Sequence, residues 1–225
     1  MSHTAIPSAA LVKGFVLACA AALLAGCATP PTFDYTAYRG SRPQSILVLP
    51  PVNNSPDVNA TFSVLSQVTH PLAESGYYVM PVSLVAETFK QNGVSEPAEM
   101  HAIDRAKLRE IFGADAALYL TVTKYGTTYM VFDSAAVVSA SARLVDLKTG
   151  QELWSGSATA SSSEQNNNNQ GGLVGLLVTA VVKQIMHSVV DSSHPVAGIA
   201  SQRLLSAGRP NGMLYGPHSP NYGKD

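Results

Sequence analysis

The sequence predicts an α/β domain in which a parallel strand-helix core is extended by an antiparallel three-stranded meander and followed by C-terminal helices. Three observations carry this. Short apolar runs at residues 45–50 and 77–80 are each followed by apolar residues at helical spacing, the alternation that builds parallel sheets. From Leu118 the period changes to two, with Leu118, Leu120 and Val122 alternating with Tyr119, Thr121 and Thr123. Asp146-Leu147-Lys148-Thr149-Gly150 then has the length and the closing glycine of a hairpin loop.

The chain opens on a leader. A single cation, Lys13, precedes the apolar residues 14–24, and Leu24-Ala25-Gly26-Cys27 closes them. Charge, apolar run and small residues in that order make a secretory signal over residues 1–26, and the apolar run is shorter than the ~20 residues a membrane span needs. With cysteine after the small residues the pattern resembles a bacterial lipobox. That resemblance implies diacylglycerol on Cys27, cleavage before it and acylation of the new amino terminus. An Asp after the lipidated cysteine commonly retains such proteins in the inner membrane; here the residue is Ala28, so the resemblance implies the outer membrane with the domain in the periplasm. Three acyl chains, at about 0.8 kcal/mol per buried CH₂, would hold it there firmly.

Residues 27–43 contain Pro30, Pro31, Gly40 and Pro43 and read as a lipidated flexible tether without a helix. Phe33, Tyr35 and Tyr38 either rest on the lipid interface or pack back on the domain. A single domain is expected over residues 44–208. Ser45-Ile46-Leu47-Val48-Leu49-Pro50 reads as a strand buried on both faces, ended by Pro50 and Pro51. After a polar loop, Phe62, Leu65, Val68 and Leu72 recur at three, three and four residues, one face of a helix that Pro71 should shorten and Gly76 can cap. Tyr77-Tyr78-Val79-Met80 is a second strand. Pro81 opens a helix carrying Leu84, Val85, Thr88 and Phe89 up to Gly93; an acidic turn follows; Asp104 caps a third helix with Ala106, Leu108, Ile111 and Phe112.

In the second half, Tyr125-Gly126-Thr127 reads as a turn into a long strand in which Ala136, Val138, Ala140, Ala142 and Leu144 share a face. Residues 152–160 return with Trp154 pointing inward. Residues 161–170, with Asn166 to Asn169 in a run, are low in complexity and expected to form a mobile loop. Residues 171–190 read as a helix too apolar to be exposed all round, and a last helix runs from His194-Pro195 to Gly208. The tail, residues 209–225, carries Met213, Leu214, Tyr215 and Tyr222 and reads as a strap on the domain.

Gly113-Ala114-Asp115-Ala116-Ala117-Leu118-Tyr119-Leu120-Thr121-Val122, followed by Ala142-Arg143-Leu144-Val145-Asp146-Leu147-Lys148-Thr149-Gly150-Gln151-Glu152-Leu153-Trp154-Ser155-Gly156, resembles a pattern shared by periplasmic proteins with the TolB amino-terminal fold. Related patterns occur in the curli secretion-channel lipoprotein and in lipoprotein activators of penicillin-binding proteins. The whole chain, including Leu214-Tyr215-Gly216-Pro217-His218-Ser219-Pro220-Asn221-Tyr222-Gly223, is similar to a family of outer-membrane lipoproteins with neisserial members and no assigned chemistry. The first resemblance covers about half the mature chain and supports fold; neither supplies a catalytic residue to carry over.

Composition narrows the function classes. Charged residues make up 13%, about half the roughly 25% of an ordinary soluble domain. The net charge of −1 offers nothing to nucleic acid. Of the two cysteines, Cys19 leaves with the signal and Cys27 is consumed by lipid, so neither disulfides nor thiol chemistry are expected. No nucleophile elbow, Walker A loop, H-E-x-x-H or C-x-x-C is present, and no catalytic residue, cofactor or metal is expected. His187, Asp191 and His194 have helical separations, but the Pro195 that follows His194 argues for packing and turning roles instead. The charge run Asp104, Arg105, Lys107, Arg109 and Glu110 reads as a solvated helix face with close-spaced ion pairs.

The function expected is that of a non-enzymatic outer-membrane lipoprotein: a periplasmic accessory that binds other envelope proteins in a secretion or transport assembly. The alternative is a regulator of a peptidoglycan synthase, against which the short tether counts. The expected contacts are Leu173, Val174, Leu176 and Leu177, the expected partners are the outer membrane and envelope proteins such as a curli-channel-like lipoprotein, and self-association is a further expectation.

Overall fold

The computed structural model describes residues 33–129, 134–166 and 193–224. The leader, Cys27, His187, Asp191 and the expected contact residues Leu173, Val174, Leu176 and Leu177 lie outside them. Contacts divide the chain into Met1–Phe33 and Asp34–Asp225, and the elements below all belong to the second unit.

Among the described residues six strands form one sheet: β1 (Ser45–Val48), β2 (Val52–Asn53), β3 (Tyr78–Val79), β4 (Ala116–Tyr129), β5 (Ser134–Asp146) and β6 (Glu152–Ser161). Their order is β3-β1-β4-β5-β6, with β2 also paired to β4. The β3-β1-β4 part is parallel and the β4-β5-β6 part antiparallel, the architecture predicted from the change of period. The helices are α1 (Thr36–Ser41), α2 (Ala60–Glu74), α3 (Val82–Gln91), α4 (Pro97–Ala102), α5 (Arg105–Phe112) and α6 (Ser193–Leu205).

β1 is buried on both faces because helices cover both. Leu47, Leu49 and Ala117 pack with Val85 and Phe89 of α3, Met100 of α4 and Leu108 of α5. On the other face α2 and α6 pack together, and α6 continues across β5 and β6. Val138, Ala140, Ala142 and Leu144 stand opposite Ala160, Ala158, Gly156 and Trp154, so these pairs share one face of the sheet. Ser139, Ser141 and Arg143 stand opposite Thr159, Ser157 and Ser155 and share the other.

Several local expectations are corrected. The segment before residue 43 is not helix-free: Thr36–Ser41 is helical, with Tyr38 buried against the domain. Its prolines flank the helix rather than interrupt it, and Arg42, at φ 49°, ends it in the left-handed region. Residues expected as loop or turn form β2 and α4, the latter with Pro97 in its first turn. The turn expected at residues 125–127 is strand, with Gly126 opposite Val137 and a bulge between Val122 and Lys124. Residues 162–166, expected as mobile loop, form a 3₁₀-helix. Phe62, expected on the apolar face of its helix, is 69% exposed, and Leu84 and Ile111, apolar residues of the next two expected helices, are 64% and 51% exposed. In α2 the inward stripe is Thr61, Val64, Leu65, Val68, Pro71 and Leu72, which places Phe62 beyond its edge.

Two buried polar connections pin the sheet. Asp146 accepts from Ser41 Oγ and from the amides of Lys148 and Thr149, so it closes the β5-β6 hairpin and ties α1 to it. Burial pushes its pKa up, but these hydrogen bonds outweigh it and hold the carboxyl below its ordinary value. His101 of α4 donates from Nε2 to the Pro50 carbonyl at 3.0 Å, across the break between β1 and β2, and stands edge-on to Tyr119. Burial lowers its pKa below the ordinary 6.5, against the effect of the Pro50 bond and with that of Arg143. A depressed folded pKa means that the unfolded chain takes up the proton first. This contribution to stability is therefore full above about pH 6.5 and is lost as pH falls below it. In urea titrations from pH 7.5 down to about pH 5, wild type should lose more stability than His101→Gln; parallel curves would show that His101 is not coupled to folding.

Candidate protein-binding and membrane-facing surfaces

Among the described residues β6 is the outer strand on the antiparallel side of the sheet. Its Ser161 amide donates to Glu164 Oε1, and its Thr159 carbonyl accepts from Arg203 Nη1 at 2.8 Å. In an antiparallel strand the backbone groups of alternate residues point the same way, so those of Ser155 and Ser157 also point outward. Neither has a backbone partner on that side among the described residues. Ser155-Gly156-Ser157-Ala158-Thr159 holds no charge and no proline, the two residue types that commonly blunt a sheet edge.

Beside this edge lies a groove of about 470 Å³, lined by Trp154, Ser157, Arg203, Arg209 and Asn211 among others. Trp154 is buried, its ring lies directly over Gly156, and its Nε1 donates to the Asn211 carbonyl at 3.0 Å. Its predicted inward orientation is observed. Arg203 is neutralised by Glu164 at 2.6 Å. The Arg209 side chain forms no hydrogen bond or ion pair among the described residues, so the groove carries one uncompensated cation.

The second surface lies where the chain joins the domain. Tyr35 donates to the Gly212 carbonyl at 2.6 Å, and Tyr77 to the Leu214 carbonyl at 2.6 Å with its hydroxyl 2.8 Å from that of Tyr38. These bonds lay the tail beside α1, with Met213 and Leu214 buried. Between them opens a cavity of about 290 Å³ lined by Tyr38, Arg39, Arg42, Tyr77, Tyr215 and Tyr222 among others.

The remaining predicted positions are structural. His194 Nδ1 lies 2.8 Å from Ser63 Oγ and its Nε2 lies 2.9 Å from Gln67 Nε2, so it fastens α6 to α2. Asp104 caps α5 by accepting from the Ala106 amide. Arg105 is not part of a solvated face: it clasps the hairpin carbonyls of Leu147 and Lys148. Among the described residues Lys107, Arg109 and Glu110 form no ion pair. Among the described residues no group of His, Cys, Asp and Glu could hold a metal ion, and no helix is long and apolar enough to cross a membrane.

Residues 33–218 match the model of the family described as lipoprotein GNA1162-like. The chain belongs to the GNA1162-like lipoprotein family. It is 52% identical over 209 residues to the lipoprotein NMB1124/NMB1162 of Neisseria meningitidis serogroup B, covering 92% of this chain and 96% of that one. The crystal structure of lipoprotein GNA1162 from Neisseria meningitidis is 56% identical and superposes with a TM-score of 0.51, over 65% of this chain and all of that one. A PelC dodecamer from Paraburkholderia phytofirmans is 14% identical at a TM-score of 0.42, covering 78% of this chain and 91% of that one. Family membership accords with the lipobox resemblance and with a mixed parallel and antiparallel sheet.

The β6 edge escaped sequence reasoning. Its composition was legible, but a strand becomes an edge only when no other segment pairs with it, which depends on the whole sheet order. The Tyr-Arg cavity was missed because it joins residues 38–42 to 214–223 across the chain.

Proposed function

We propose that this protein is a non-enzymatic lipoprotein, anchored through Cys27 to the periplasmic face of the outer membrane, which binds an envelope protein as an accessory of a secretion or transport assembly. The carrying observation is the β6 edge, with uncharged residues and outward backbone groups beside a groove holding Arg209. An edge of this kind recognises an extended segment by main-chain hydrogen bonds, while a neighbouring pocket selects a side chain. The uncompensated arginine favours an acidic one.

The anchor sets the reach. Six residues separate Cys27 from Asp34, so the domain stays within about 25 Å of the acylated cysteine. That span counts against a regulator that must cross the cell-wall gap on a long arm.

A photo-crosslinking residue at position 157 should trap one envelope protein in intact cells. The adduct should disappear with Cys27→Ser, which mislocalises the chain. It should also fall at least tenfold when the crosslinker stands at 155 and Ser157→Pro removes an outward N–H, because losing one such bond with the strand geometry costs more than about 1.4 kcal/mol. Recovery of a channel-like lipoprotein or export component supports the accessory reading. Recovery of a penicillin-binding protein moves the assignment to the synthase regulator, and equal adducts from a control crosslinker at Lys107 sink the edge altogether.

A further inference from the structure

The cavity between α1 and the C-terminal strap faces a different task from the β6 edge. It combines two arginines with four tyrosines, a pairing that suits an anion at a lipid-water boundary. Guanidinium forks match phosphate oxygens, and tyrosine rings settle at headgroup depth with their hydroxyls toward water. Arg39 lies over the Tyr35 ring at 5.7 Å from its centroid, and Arg42 donates from Nε to the Arg39 carbonyl, which ties both cations to one short helix. Arg39 and Arg42 are exposed, and Tyr222 is 44% exposed. Lys224, which follows the lining residue Gly223, turns its ammonium back on the strap and donates to the Pro220 carbonyl at 2.7 Å. Asp34, the carboxylate at the start of α1, is engaged by the Thr36 amide and hydroxyl.

Chain connectivity decides which ligand meets this site. α1 is the first element after the anchor, and Arg39 is five residues beyond Asp34. A domain held within about 25 Å of its lipids meets headgroups at high effective concentration, so weak individual contacts become occupied. We propose that this cavity is a phosphate-headgroup site for anionic lipid, by which the domain seats its α1 and strap face on the leaflet that anchors it. The site would also orient the molecule and leave the β6 edge a defined direction relative to the membrane. The proposal rests on the Cys27 anchor of the preceding section.

The test uses the mature chain with Cys27→Ser, so that acyl insertion does not mask headgroup contact. Its flotation is measured with vesicles of phosphatidylglycerol and phosphatidylethanolamine and, separately, of phosphatidylcholine. Binding should favour the anionic vesicles and weaken about 30-fold in Arg39→Gln/Arg42→Gln. The pair Lys107→Gln/Arg109→Gln makes the same change in net charge and should leave binding within about twofold. Thermal unfolding checks the fold of each. Should the arginine pair unfold, Tyr222→Ser on the exposed rim should still lower binding about fivefold, by loss of an interfacial aromatic. Equal losses from both charge pairs, or no preference for phosphatidylglycerol, overturn the proposal. Full displacement by millimolar glycerol phosphate also overturns it, because the ligand would then be a free phosphate. The intact mass of wild type from membranes keeps the two readings apart. Absence of diacylglycerol on Cys27 removes the anchor, whereas an acylated protein that fails the vesicle arms loses only the headgroup site.

Discussion

Gly76→Ala should destabilise the domain by about 3 kcal/mol and release the strap. Gly76 sits at φ +94°, just beyond the end of α2, a conformation that costs an L residue about 1–2 kcal/mol. A Cβ there would also stand 2.4 Å from the Ser219 amide nitrogen and 2.9 Å from the Gly216 carbonyl, both of them backbone. No rotamer change relieves such a contact, so overpacking adds a further 1–3 kcal/mol. The strap cannot withdraw without loss, because Gly216 donates to the Ser75 carbonyl at 2.8 Å and His218 to the Gly76 carbonyl at 3.1 Å. Urea titration should show the lowered midpoint, and chymotrypsin should cut at Leu214 and Tyr215 much faster than in wild type. Wild-type stability in Gly76→Ala would mean that the tail is not clamped at this turn.

Trp154→Ala should cost about 4 kcal/mol, in the range for truncating a fully buried tryptophan. The ring fills the space between β6 and the residues that follow α6, and its N–H satisfies the Asn211 carbonyl. Trp154→Phe keeps most of the volume and should lose about 1.5 kcal/mol, chiefly the indole hydrogen bond and the second ring. Because Trp154 is the chain's single tryptophan, its fluorescence in the wild type reports on this region without labelling. The alanine variant should also lose the β6 crosslink under conditions where circular dichroism shows a folded domain, since the ring forms one wall of the groove. A folded Trp154→Ala that retains the crosslink would separate the groove from the edge.

These two positions show what could be read in advance and what could not. Strand alternation alone places Trp154 inward, because the period of two assigns every second residue of a half-covered strand to one face. Gly76 was legible as a helix cap from its place after Leu72 and before an apolar run. Its second role, as the seat of Gly216 and Ser219, was not, since it depends on a segment about 140 residues away. Phe62, Leu84 and Ile111 show the same limit within helices. Each is apolar at helical spacing, yet each lies beside the covered stripe rather than in it, because the packing partners set its width and centre. Gly126 shows it within strands: a glycine suggested a turn, but thirteen β4-β5 residue pairs carry the strand through it with one bulge.

Local sequence by itself carried the expectation of an export signal with a lipobox and determined the two strand-helix units and the antiparallel meander, all of which are written in patterns of fewer than about 20 neighbouring residues. Tertiary structure alone decided that residues 36–41 fold onto the domain, that Arg105 clasps a hairpin instead of facing solvent, and that β6 is the outer strand among the described residues, with the outward backbone groups of Ser155 and Ser157 unpaired there. It also brought Arg39 and Arg42 to the tyrosines of the strap. The physical reason is the same in each case. Periodicity reports which face of an element is apolar, whereas edges, clefts and clusters are set by which distant element occupies the space beside it, and that choice is a property of the packed whole.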